Sequence, residues 1–158
     1  MHSALSVANA FLDLADKEGK NLTNMQVQKL VFFAHGVHLA AYNSPLISDK
    51  VKAWTFGPVI PPLYNRLKKY GNGNVTSKID LDDEDHDDIL THPKAKSAIE
   101  SVWRKYKEYS GSKLSAISHA KGSPWDTVWN APNGEFAVIP DDVIRDYYSP
   151  RVVKRQQT

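Results

Sequence analysis

At 158 residues, 41% apolar and 24% charged, the chain has the size and balance of one globular domain and is neither a disordered chain nor a membrane protein. It has no cysteine, which excludes disulfides and thiolate metal sites and makes a reducing, cytoplasmic setting the expectation. The net charge of +2 hides an acidic block: seven of the nine residues from Asp80 to Asp88 are acidic, and with those set aside 20 lysines and arginines face only 11 carboxylates.

The N-terminal segment lacks the basic start and long apolar run of a signal peptide. Val7, Ala8, Phe11, Leu14 and Ala15 recur at helical spacing from Ser3 to Glu18, and Gly19 sits where a left-handed cap belongs. Thr23 and Gln26 have the spacing of a capping box and open a second helix. From Met25 to Tyr42 that helix is apolar nearly all round, as a helix with neighbours on several sides must be. Gln28 and His35 are then semi-buried groups in need of hydrogen-bond partners.

Leu46-Ile47 and Val51–Trp54, separated by Ser48-Asp49-Lys50, read as a short β-hairpin that Phe56-Gly57-Pro58 interrupts. Pro61 and Pro62 suit the first turn of a third helix carrying Leu63, Leu67 and Tyr70 inward and Arg66, Lys68 and Lys69 outward. The acidic block leads into Ile89-Leu90, since carboxylates suit the positive end of a helix. A long amphipathic helix follows from Pro93 to Tyr109, then a shorter one from Ser112 to Lys121 with His119 buried against the central helix. Ser123-Pro124 opens one more turn, Phe136–Val138 forms a lone strand, and Asp141 or Asp142 starts a last helix that reaches Tyr148. Residues 1–149 are expected to form one domain, mainly α, packed around a buried central helix with a small β-hairpin. Residues 150–158 are expected to form a flexible basic tail.

Catalytic signatures are missing. Six histidines raise the question of a metal, but no HExxH pair occurs and the thiolates are absent. No GxSxG elbow and no phosphate-cradling glycine loop is present, so neither catalytic residues, a metal nor a cofactor is expected. Basic residues at Arg66, Lys69, Arg104, Lys105 and Lys107 would suit phosphates, yet the aromatics sit at core spacing and no helix-turn-helix occurs, which disfavours nucleic acid.

Three segments in order are similar to the motifs of one family. Val27–Gly36 contains Gln28-Lys29-Leu30 followed by apolar and aromatic residues. Ala53–Pro61 contains Trp54-Thr55-Phe56-Gly57-Pro58-Val59-Ile60-Pro61, followed by Leu63-Tyr64. Leu114-Ser115 leads to Ser118-His119, with Pro124-Trp125 beyond. Together they resemble the Panacea domain, an antitoxin family that includes SocA-like and phage-associated GepA-like proteins. The resemblance spans roughly residues 23 to 128. Phe32, His35, Val37 and Phe56 depart from the residues usual at their positions.

The resemblance implies a mainly helical antitoxin that neutralises a neighbouring-gene protein toxin by direct contact, with no membrane involved. The alternatives are an adaptor that delivers the toxin to a cellular protease, and a nucleic-acid-binding regulator. Trp54, Phe56, Gly57, Pro58, His119 and Trp125 are expected to lock the hairpin and later helices onto the central helix. The partner surface is expected elsewhere: Arg66 and Lys69, the acidic residues Asp82, Asp83, Asp85 and Asp87, and Arg104, Lys105 and Lys107.

Overall fold

The computed structural model describes residues 1–81 and 88–156. Helix α1 (Ala4–Lys17) starts at Ser3, whose hydroxyl accepts the Ser6 N–H at 3.1 Å, and Gly19 beyond it takes a φ of +68°. Helix α2 (Asn24–Tyr42) opens on the full capping box: Gln26 N–H reaches Thr23 Oγ1, and Thr23 N–H reaches Gln26 Oε1 at 2.8 Å. Because α2 is apolar on every side, it must be covered on every side, and α1, α4, α5 and α7 all pack against it. Phe32, Phe33, Leu30 and Val31 form the centre of the core. The fold is mainly α with one small antiparallel hairpin.

That hairpin differs from the expected one. β1 (Lys52–Trp54) pairs with β2 (Gly57–Val59), not with Leu46-Ile47. Ile47 instead forms a parallel bridge with His2, through His2 N–H to Leu46 O at 2.9 Å. Pro58 is tolerated in β2 because it stands opposite Ala53, whose own N–H and C=O bond outward to Ala137 O and Phe136 N–H at 2.9 and 2.8 Å. The missing proline N–H therefore leaves no partner unsatisfied. The expected strand at Phe136–Val138 runs along the other edge of β1, bridging Lys52 with Val138.

Helix α3 (Pro61–Leu67) tightens into a 3-10 turn at Lys68–Tyr70. Asp88 caps a further 3-10 turn, Ile89–Thr91, accepting Leu90 N–H at 3.1 Å. Helix α4 (Pro93–Tyr106) is tied to the end of α1 by Glu18, which accepts from the Trp103 indole and from Lys107 at 2.7 Å. These two donors, Lys107 first, hold the Glu18 carboxyl below its ordinary range. Helices α5 (Gly111–Ser118) and α6 (Pro124–Trp129) begin on Ser110 and Ser123, each accepting a backbone N–H three residues on.

Helix α7 (Asp141–Gln156) crosses α2 at Gly36, where an added Cβ would lie 2.6 Å from the Tyr148 ring. Its first residue, Asp141, meets the fully buried His35 at 2.9 Å. The helix continues through Pro150 to Gln156, past the end expected at Tyr148. Proline forfeits one intrahelical bond, and Arg151 donates to the Tyr147 carbonyl while its guanidinium lies 3.7 Å over the Tyr147 ring. No helix among the described residues is long and apolar enough to cross a membrane.

Candidate partner-binding site

Segments far apart in sequence close on one tight turn. β1 and β2 are joined by Thr55 and Phe56, and four backbone groups on or beside this turn each meet a side chain. Lys29 Nζ, from α2, donates to Pro58 O at 2.9 Å. Its neighbour Gln28 accepts the Ile60 N–H at 3.1 Å through Oε1. Ser115 Oγ, from α5, donates to Phe56 O at 2.7 Å, and Trp125 Nε1, from α6, donates to Trp54 O at 2.6 Å. A buried backbone group without a partner would cost about 1–3 kcal/mol, so these bonds hold the turn in place.

Gly57 occupies the one position at the centre that admits no side chain. Its φ is +114°, and a Cβ there would fall 2.7 Å from Ser118 Oγ and 3.1 Å from Lys29 Nζ. Ser118 donates to Ser115 O at 2.8 Å and so keeps its oxygen against the glycine. Lys29 is only 2% exposed, and among the described residues its bond to Pro58 is its single hydrogen bond. Burial alone pushes its amine down to about 7.

Over this knot lies an open groove of about 450 Å³. Its walls are Met25, Trp54, Phe56, Val59, Tyr64 and Phe136, with Lys29 and Lys68 as its charged residues. Phe56 is 66% and Phe136 55% exposed, and Met25 and Tyr64 are exposed as well. Large apolar side chains normally go inside, so their gathering around one opening is informative where a single one would not be. Phe136 also has a φ of +64°, rare for a bulky side chain, and is held there by its N–H bond to Ala53 O.

The structure brings Gln28, Lys29, Gly57, Pro58, Ser118 and Trp125 together at the turn, and Pro124 is buried in the first turn of α6 beside Trp125. Three expectations change. Phe56 contributes its carbonyl to the lock while its ring stands in solvent. Trp54 is half-buried, edge-on to Tyr64 at 5.1 Å, and forms a groove wall. Among the described residues His119 shows no hydrogen bond to the central helix: it is half-buried, with Nδ1 3.4 Å from Ser115 Oγ and its ring 5.4 Å from Trp125. It follows the last residue of α5, one turn beyond Ser115, which aims it at that helix's own hydroxyl.

The expected basic partner surface is dispersed and partly occupied. Arg66 donates to Asp80 O at 2.6 Å, Lys69 lies over the Tyr70 ring, and Lys107 pairs with Glu18. Lys105 lies 5.2 Å over the Tyr106 ring, and Arg104 is exposed. Asp82, Asp83, Asp85 and Asp87 lie outside the described residues. Among the described residues no three His, Asp or Glu stand close enough to share a metal ion. The groove residues Met25, Lys68 and Phe136 carry no sequence signature, because an aromatic or Met beside a turn reads as core.

A family model described as antitoxin SocA-like, Panacea domain, matches residues 27–126. The chain is 34% identical over 154 residues to Antitoxin SocA of Caulobacter vibrioides strain NA1000 / CB15N, covering 92% of this chain and 81% of that protein. No solved structure matches it.

Proposed function

The chain belongs to the SocA-like, Panacea-domain antitoxin family, and from that premise we propose that it neutralises a cognate protein toxin, encoded by a neighbouring gene, through direct contact. The observation that carries this reading is the cluster of exposed Met25, Phe56, Tyr64 and Phe136 around one groove. Aromatic side chains and methionine are the types enriched where one protein buries another. The turn beneath them is fixed by hydrogen bonds to several elements, so the surface is held ready before contact, which lowers the entropic cost of binding. The protein acts here as a stoichiometric binder, not as an enzyme. The exposed Arg104 and the acidic residues Asp82, Asp83, Asp85 and Asp87 are proposed as charges that steer the encounter.

Co-expression with the product of the adjacent gene tests the reading. The adjacent gene alone should arrest growth, and the pair should grow and yield a complex on purification. A toxin that stays soluble and inhibitory beside equal amounts of this protein would overturn the proposal. A toxin that vanishes from cells, and survives once a protease is deleted, would replace blocking by delivery for degradation.

A further inference from the structure

We infer that the groove over the Gly57 turn receives a short acidic segment of the partner, one that seats an aromatic or large aliphatic side chain between Phe56, Tyr64 and Phe136 and sets its carboxylates beside Lys68, over the buried Lys29. This deepens the antitoxin reading and rests on it for the identity of the partner, though not for the chemistry of the groove.

Three observations support it. First, the apolar walls are open, and two of their rings, Phe56 and Phe136, are more than half exposed. Second, the backbone strain at Phe136 lies at this rim: a φ of +64° persists in a phenylalanine that covers little of the core, and strain of this kind gathers where a ligand is clamped. Third, the charge is one-sided. The lining holds Lys29 and Lys68 and no carboxylate. A basic segment would bring like charges together, whereas an acidic one would be attracted and steered.

Lys29 supplies a signature that apolar docking alone does not. The elements around it add little charge: β2 offers the Pro58 carbonyl and Gly57, α5 offers the Ser115 and Ser118 hydroxyls with His119 beyond them, and the 3-10 turn offers Lys68. Burial keeps its amine near 7. A carboxylate entering the groove favours the charged form, so at pH 8 binding should take up close to one proton.

The test selects a randomised twelve-residue peptide display library on the immobilised full chain, then titrates the enriched peptide calorimetrically in two buffers of different ionisation enthalpy. The expected consensus is an aromatic or leucine flanked by Asp or Glu. Phe56→Ala and Phe136→Gly should each weaken the peptide at least tenfold without lowering the melting temperature, since glycine relieves the φ at position 136. Lys68→Glu should weaken it several-fold, chiefly at low salt. Lys29→Met should abolish proton uptake. A basic consensus, or binding indifferent to Phe56 and Phe136, overturns the inference. So does a concentration-dependent dimer that Phe56→Ala dissociates, which would assign the groove to a second copy. If Phe56→Ala loses the peptide yet still protects cells from the adjacent-gene toxin, the groove is not the neutralising surface and the antitoxin reading stands. If the wild-type chain binds the peptide but fails to protect, that reading falls and the groove's chemistry stands.

Discussion

Replacing Lys29 with methionine should change how stability depends on pH. The amine is buried and held at about 7, against an ordinary 10.5, by that burial alone. The unfolded chain keeps this proton until about pH 10.5, whereas the folded chain gives it up near 7. Between those values the unfolded state binds more protons, so stability rises with pH. For these two values the cost of holding Lys29 folded is about 4 kcal/mol at pH 7 and about 2 kcal/mol at pH 9. Wild type should therefore gain about 2 kcal/mol between pH 7 and pH 9 relative to Lys29→Met. The variant leaves the Pro58 carbonyl unpaired, but that penalty does not titrate and cancels in the double difference. Urea unfolding of both proteins at the two pH values measures it. Parallel stability profiles would refute the reasoning and mean that Lys29 keeps its proton in the fold through a partner or water that the burial argument omits.

Gly57→Ala should cost about 2–4 kcal/mol, combining a left-handed backbone with a methyl 2.7 Å from Ser118 Oγ. Adding Ser118→Gly should recover part of that, about 1 kcal/mol in a double-mutant cycle by thermal melting, because it removes the clash and leaves the strain. Trp125→Ala, with Trp125 9% exposed and donating to Trp54 O, should cost about 3–5 kcal/mol in urea, and the half-buried Trp54 distinctly less. Equal losses would place Trp54 in the core. The bond from His35 holds the Asp141 carboxyl below its usual range. Its stabilisation is present above about pH 4 and lost as pH falls through the lowered value. Asp141→Asn should therefore be slightly less stable at pH 7, by under about 1 kcal/mol given its exposure, and should converge with wild type in acid unfolding once the pH has fallen below the lowered value. A gap that persists there would show that the bond does not depend on the charge of the Asp141 carboxylate.

Much of the helical scaffold was legible because local sequence carries its own physical cause. Thr23 and Gln26 form a cap whatever surrounds them. The apolar circumference of α2 could only mean burial on all sides. The helical steps from Val7 to Ala15 and from Ala95 to Tyr106 depend only on which faces must leave water. The ordered motifs likewise identified the family, since they record the fold's contacts in sequence order.

Pairing across distance was not legible. Pro58 looked like a strand breaker, and only the placement of Phe136 and Ala137 along β1 shows that no N–H is needed there. The last helix reads as ending at Tyr148, ahead of Pro150, yet it runs on to Gln156. Lys29 reads from sequence only as part of a family motif; its burial exists because α5 and the hairpin close over it. Phe56 reads as a lock on the central helix and Phe136 as part of a lone strand, yet both rings stand in solvent. Periodicity reports which side of a helix is apolar, because that depends on neighbours three or four residues away. Whether one aromatic on a turn is covered or left open depends on chain tens of residues distant, and that was decided only when the helices packed.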